Sequence, residues 1–143
     1  MGTQGRTSYR IGDQNALHYI TIATVDRIDI FTRREYKYII TDSLQYCREQ
    51  KGLELYGYVI MTNHIHLICQ AKDGHQLSDI LRDFKRHTAK HILKEIQEHP
   101  QESRREWLLE LLQKAGEKNQ KNKIYQVWRQ DNHPIELCKP ETV

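Results

Sequence analysis

The chain has 143 residues, 38% hydrophobic and 29% charged, with a formal net charge of +3. That suffices for one domain with a real core, excludes intrinsic disorder, and by itself does not call for a polyanionic partner. Three cysteines, Cys47, Cys69 and Cys138, without C-x-x-C spacing exclude a disulfide framework and a zinc knuckle.

Residues 1–14 are polar and glycine-bearing, lack the apolar stretch of a signal peptide, and read as a loose arm. No run approaches the roughly 20 apolar residues that span a bilayer, so the expected setting is the cytoplasm, away from membranes. A first strand is expected over residues 17–24. Alternation puts Leu17, Tyr19, Thr21 and Ala23 on one face and His18, Ile20, Ile22 and Thr24 on the other. Apolar groups on both faces place it inside a sheet. The period then changes. Thr32 stands at an N-cap with Glu35 in capping-box position, and Tyr36, Ile39, Ile40, Leu44 and Cys47 recur at helical spacing. This predicts a helix over about 33–49, ended by Gly52.

Two strands, about 53–61 and 64–70, meet at Thr62-Asn63. After a polar loop at 71–75, residues 76–97 predict a second long helix with Leu77, Ile80, Leu81, Phe84, Thr88, Ile92 and Ile96 in one stripe. A further helix over 102–115, with Trp107, Leu108, Leu111 and Leu112 clustered, precedes a solvated, flexible loop at 116–123. The stretch IYQVWRQ reads as a short apolar return, and the tail after it as neither helix nor strand. The strand-helix-strand-strand-helix order predicts an α+β fold, a ferredoxin-like antiparallel sheet with helices packed on one face, in a single domain over 1–143.

The richest local signal is Asn63-His64-Ile65-His66-Leu67. Period two puts His64 and His66 on one side of a strand and Ile65 and Leu67 on the other. Two imidazoles on one side can share a divalent ion. A metal acting on a phosphodiester needs a third ligand and open positions besides. The bland alternative is a partly exposed, hydrogen-bonded pair, since H-x-H is a short pattern. No H-E-x-x-H helix or acidic cluster accompanies it, which disfavours a zinc hydrolase of small molecules.

On the following helix Arg82, Arg86, Lys90 and Lys94 repeat every four residues, with Lys85, His87 and His91 beside them. They are either a solvated face paired with Asp79, Asp83 and Glu95 or a rail for phosphates. Trp128 and Arg129 join the candidate nucleic-acid contacts; His133, one histidine before a proline, is a weak metal candidate. Tyr56 and Tyr58 are expected on one strand face, with Leu55 and Val59 on the other. Cys69 faces away from His66 and reads as buried rather than ligating.

Taken together, YITIATVDRIDIFTRREY, the strand ending VIMTNHIHLI, QLSDILRDFKRHTAKHI and YQVWRQDNHPIEL resemble the REP-associated tyrosine transposases. These belong to the single-tyrosine HUH group, with the IS200-like transposases. The likeness runs over about 15–137, and the NHIHL and WRQDNHP blocks are specific in combination. The resemblance implies a ferredoxin-like domain, usually a homodimer, that binds single-stranded or hairpin DNA with Mg²⁺ or Mn²⁺. It makes His64 and His66 the metal ligands of the catalytic site. The metal polarises the scissile phosphate and a tyrosine hydroxyl attacks it, leaving a 5′-phosphotyrosine link and a free 3′-OH. In such proteins that tyrosine lies on a helix after the QDNHP block, where a third metal ligand can also sit. No matching stretch follows here before Val143, and Tyr125 matches the YQVW block instead. The expectation is therefore a chain with the fold and DNA affinity but without covalent cleavage. A non-catalytic nucleic-acid-binding module is the alternative.

Overall fold

The computed structural model describes residues 10–119 and 124–137. Along them run β1 (His18–Ala23), a single turn at Val25–Arg27, α1 (Arg34–Gln50), β2 (Leu53–Ile60), β3 (His64–Ala71), α2 (Leu77–Glu98), α3 (Arg105–Asn119) and β4 (Ile135–Glu136). The strands form one antiparallel sheet in the order β2-β3-β1-β4, which is the expected ferredoxin-like arrangement. None of the described helices is long and apolar enough to cross a membrane.

Strand periodicity sorts the sheet into two faces. Ile20 and Ile22 of β1 and Ile65, Leu67 and Cys69 of β3 are buried in the core with the helices. On the other face Tyr19, Thr21 and Ala23 lie opposite Ile68, His66 and His64, and Val59, Ile68 and Ile135 stay exposed. In β2 a bulge between Leu55 and Gly57 changes the expected pattern. Leu55 opposes Cys69 and Tyr58 opposes Leu67, so Tyr58 shares the face of Leu55 and not of Val59, which opposes His66.

All seven residues of the predicted α2 stripe are buried. At roughly 1.5–3 kcal/mol per buried aliphatic or aromatic side chain, that stripe outweighs the cap that Gln76 fails to supply, which is worth about 1 kcal/mol. A remote residue stands in for it: Gln14 Oε1 accepts from the Ser78 N–H at 2.8 Å. Asn15 also donates to the carbonyls of Ala71, Lys72 and His75. The expected loose arm is thus tied down by Gln14, while residues 1–9 lie outside the described residues. Gly52 ends α1 as predicted, with φ +80° and its Cα face against the His75 ring, where a Cβ would lie 2.5 Å away.

Three expectations are corrected. The capping box at Thr32 does not form: Arg33 is the extended N-cap residue and makes no side-chain cap bond. Thr32 Oγ1 instead accepts from Arg104 at 2.9 Å, and Glu35 meets His99 at 3.2 Å. The loop expected from 116 is helical to Asn119. Gly116 there permits the returning chain to pass, since a Cβ would lie 2.8 Å from the Ile124 carbonyl oxygen; residues 120–123 lie outside the described residues. The tail expected to be irregular contributes β4, which pairs with β1 at His18 and Tyr19.

A buried charge cluster fastens the approach to α3 onto α1. The side chain of Glu102 is fully enclosed and accepts from the Tyr36 hydroxyl at 2.8 Å. Arg33 and Arg104 lie 3.5 and 3.3 Å from it. Burial pushes its pKa up, but the bonds from Arg104 and Tyr36 prevail and hold it at about 2. Its charge therefore stabilises the fold in full above pH 4.5 and ceases to do so as pH falls to about 2. Glu102→Ala is expected to lower stability by about 3 kcal/mol at neutral pH, measured by urea unfolding. Glu102→Gln is expected to show a shallower loss of stability than the wild type across that acid window.

Candidate metal and nucleic-acid site

The two histidines project from β3 onto the open sheet face because Ile65 and Leu67, between and after them, are committed to the core. Their ring centroids are 4.7 Å apart and the planes cross at 74°. An ion bound about 2.1 Å from a nitrogen of each ring would put the centroids roughly 4.6–5.3 Å apart, so the pair is already spaced for a shared cation.

Hydrogen bonding sets which nitrogen of His64 faces outward. The Asn63 Nδ2 donates to the Arg27 carbonyl at 3.3 Å and to Asp29 Oδ1 at 3.1 Å. With the amide nitrogen so engaged, Oδ1 is the atom 2.7 Å from His64 Nδ1. An amide oxygen only accepts, so Nδ1 carries the proton and Nε2 presents a lone pair. His66 Nδ1 lies 3.1 Å from Thr21 Oγ1, and its ring stacks on Tyr19 at 5.3 Å. Burial, then His66 and Arg27, hold the His64 pKa below the ordinary imidazole value, which favours the neutral, ligating form. The donor set fits one divalent ion with two imidazole nitrogens. Among the described residues no third His, Cys, Asp or Glu completes a cluster, so the other positions fall to water, phosphate oxygen or a group beyond those residues.

The loop before α1 braces this arrangement. Thr24 donates its N–H to the Asn63 carbonyl at 2.9 Å, and its hydroxyl lies 2.8 Å from the Ile28 carbonyl and 3.0 Å from that of Asn63. Asp29 also accepts from the Thr62 hydroxyl at 2.9 Å. Between these anchors Asp26 and Arg27 both take φ +54°, a left-handed conformation costing roughly 1–2 kcal/mol per non-glycine residue. Sequence reasoning gave Asn63 only a turn role and passed over Thr21, Arg27 and Asp29. The Asn-before-His order was the one available signal.

The basic candidates belong elsewhere. Arg82 and Arg86 of α2, with Tyr125, Arg129 and Gln130, line an open groove of about 520 Å³ between α2 and the segment 125–132, and the histidines are not part of its lining. Arg82 is paired with Asp79 and Asp83 at 3.2 and 3.3 Å, and Arg129 with Asp131 at 3.5 Å. Lys90 and Lys94 are exposed further along α2. Two candidates have structural work instead. Lys85 Nζ donates to the carbonyls of Arg129 and Gln130, at 2.6 and 3.1 Å, and to Asn132 Oδ1 at 2.9 Å. Trp128 is only 5% exposed, stacks on Phe31 and donates its indole N–H to Thr88 at 2.9 Å, so its ring is unavailable to a base. His133 is exposed just before β4, with φ +43°. Cys69 is buried away from His66 as expected, its thiol pushed up to about 12 by burial; Cys138 lies outside the described residues.

The family described as "Transposase IS200 like" matches residues 13–126. Among solved structures, the chain is similar in fold to a REP-associated tyrosine transposase bound to a REP hairpin. The TM-score is 0.57 and the identity 13%, over 93% of this chain and 62% of that one. It is also similar to a candidate transposase from Deinococcus radiodurans, with TM-score 0.49 and 22% identity over 59% of this chain and 65% of that one. The chain thus spans a little under two thirds of each of these proteins. No curated protein matches it.

If Asn63 sets the His64 tautomer, Asn63→Ala is expected to weaken Mn²⁺ binding about 10- to 100-fold while leaving the fold intact. Titration followed by electron paramagnetic resonance, with circular dichroism alongside, measures both.

Proposed function

The chain belongs to the IS200-like transposase family, and from that we propose that it is the metal- and DNA-holding domain of a transposase that cuts single-stranded DNA through a phosphotyrosine link. The observation that carries this reading is the His64/His66 pair, spaced for one ion and with His64 Nε2 presented by the Asn63 amide. His64 and His66 would hold Mg²⁺ or Mn²⁺, and Thr21 and Asn63 would keep the rings in place. When bound, the ion supplies positive charge to the oxygens of the scissile phosphate. A tyrosine hydroxyl attacks phosphorus and the bond to the 3′ oxygen breaks. The product is a 5′-phosphotyrosine link and a free 3′-OH, from which the step can reverse. We assign the nucleophile to none of the tyrosines among the described residues.

For the substrate we propose a single strand bearing a hairpin, met by a homodimer in the cytoplasm. Arg82, Arg86, Lys90, Lys94 and Arg129 contact phosphates; Lys85 and Trp128 hold the segment that carries Arg129. Backbone contacts of this kind position DNA without reading its sequence. The absence of a third ligand among the described residues favours one other reading, a nucleic-acid-binding module without chemistry.

The two differ in their dependence on metal. A phosphate shared with a bound ion should tighten hairpin DNA binding about tenfold, or about 1.4 kcal/mol, when Mn²⁺ is added. His64→Ala with His66→Ala should remove that increment. Fluorescence anisotropy with a hairpin oligonucleotide measures it, and equal affinity with and without Mn²⁺ would leave only the binding module.

A further inference from the structure

Arg27 stands at the tip of the strained turn, exposed to solvent. It and Asp26 are successive non-glycine residues in the left-handed region, a conformation that survives only where its surroundings over-determine it and that gathers at functional sites. The surroundings here do so. Val25 is buried and its N–H meets the Val127 carbonyl at 2.8 Å; the Arg27 N–H meets Thr24 O at 3.2 Å. The Arg27 carbonyl is tied to Asn63, the residue that orients His64. The backbone of Arg27 thus stands one side chain, that of Asn63, away from the His64 ring. Among the described residues no carboxylate lies within ion-pair distance of the Arg27 guanidinium, as is also true of Arg10, Arg48, Arg86 and Arg105, whereas Arg33, Arg82, Arg104 and Arg129 have such partners.

A guanidinium within reach of a pair of cation-binding imidazoles is repelled by their ion unless an anion lies between them. A phosphodiester meets that need, because its two non-bridging oxygens can face two cations at once, and a guanidinium fork matches its geometry. We propose that Arg27 is a phosphate-binding residue of the histidine site, gripping an oxygen of the same phosphate that the ion contacts, an assignment that rests on the strand-cleavage reading above. The strained turn then has a function, since it fixes the backbone from which this side chain extends, next to the residue that orients His64.

Arg27→Gly separates function from folding, because glycine adopts the left-handed conformation freely. We expect its melting temperature to equal or exceed that of the wild type, and its Mn²⁺ affinity without DNA to be equal or higher, since a repelling charge is gone. Its affinity for hairpin DNA in Mn²⁺ should fall about tenfold, and the slope of log affinity against log salt should drop by about one. Arg27→Lys keeps the charge without the fork and should lie between. If Arg27→Gly binds DNA as tightly as the wild type, with the wild-type salt slope and Mn²⁺ increment, the assignment of Arg27 is overturned while the strand-cleavage reading stands. If the wild type itself shows no Mn²⁺ increment, both fall.

Discussion

The side-chain amide of Asn63 has its nitrogen between two acceptors, the Arg27 carbonyl and the Asp29 carboxylate, and can therefore point only one way. Its oxygen turns to His64, which fixes the proton on Nδ1 and leaves Nε2 outward. The same bond ties the turn of Asp26 and Arg27 to the start of β3. One amide thus links the tautomer of His64 to the backbone of the turn that carries Arg27. Reversing it would set an N–H against the His64 ring and a carbonyl oxygen against a carboxylate, so the two halves of the site are correct together or not at all.

The strand under this amide is equally constrained. β1 and β3 are the two inner strands, and Thr21 opposite His66 is a cross-strand pair of that register. A slip of one residue would drive both histidines into the core and expose Ile65 and Leu67, at roughly 1.5–3 kcal/mol for each apolar side chain. The imidazoles owe their common direction to the burial of the residues beside them. The Glu102 cluster serves the same end from further away, because Arg104 donates to the Asp29 carbonyl at 2.7 Å as well as binding Glu102. It thereby secures the backbone of the residue that orients Asn63.

What could be read from the sequence was what periodicity carries. The α2 stripe, the shared face of the histidines, the burial of Cys69 and the helix stop at Gly52 all follow from local spacing, and the sheet order follows from the succession of elements. What could not be read depended on distant partners. Thr32 and Glu35 have the pattern of a capping box, yet Arg104 and His99, more than sixty positions away, claim them. Lys85 looked like one more cation on a basic face but lies where three oxygens converge. Trp128 stands between Val127 and Arg129 in a stretch too short for a period to reveal its burial, and β4 is two residues long, too short for alternation to register. The bulge at Tyr56 had one signal that went unread, Gly57 inside the strand, whereas the left-handed turn at Asp26 and Arg27 uses no glycine that would have marked it.

The separation of the basic groove from the histidines bears on how the proposed substrate would lie. The groove lies between α2 and the segment 125–132 and the histidines on the open face, and residues 129–132 run along β1, through Arg129 N–H to Ala23 O and Thr21 N–H to Asn132 O. A straight duplex pressed on one side would reach one set of groups and miss the other. A flexible single strand leaving a hairpin can turn that edge, with its paired stem against α2 and Arg129 and its open strand over the β1 and β3 face. On this view the cations of α2 position the DNA, and Arg27 with the histidine pair meets the phosphate to be cut. A net charge of only +3 is no obstacle to such a path, because where positive groups stand matters more than their total.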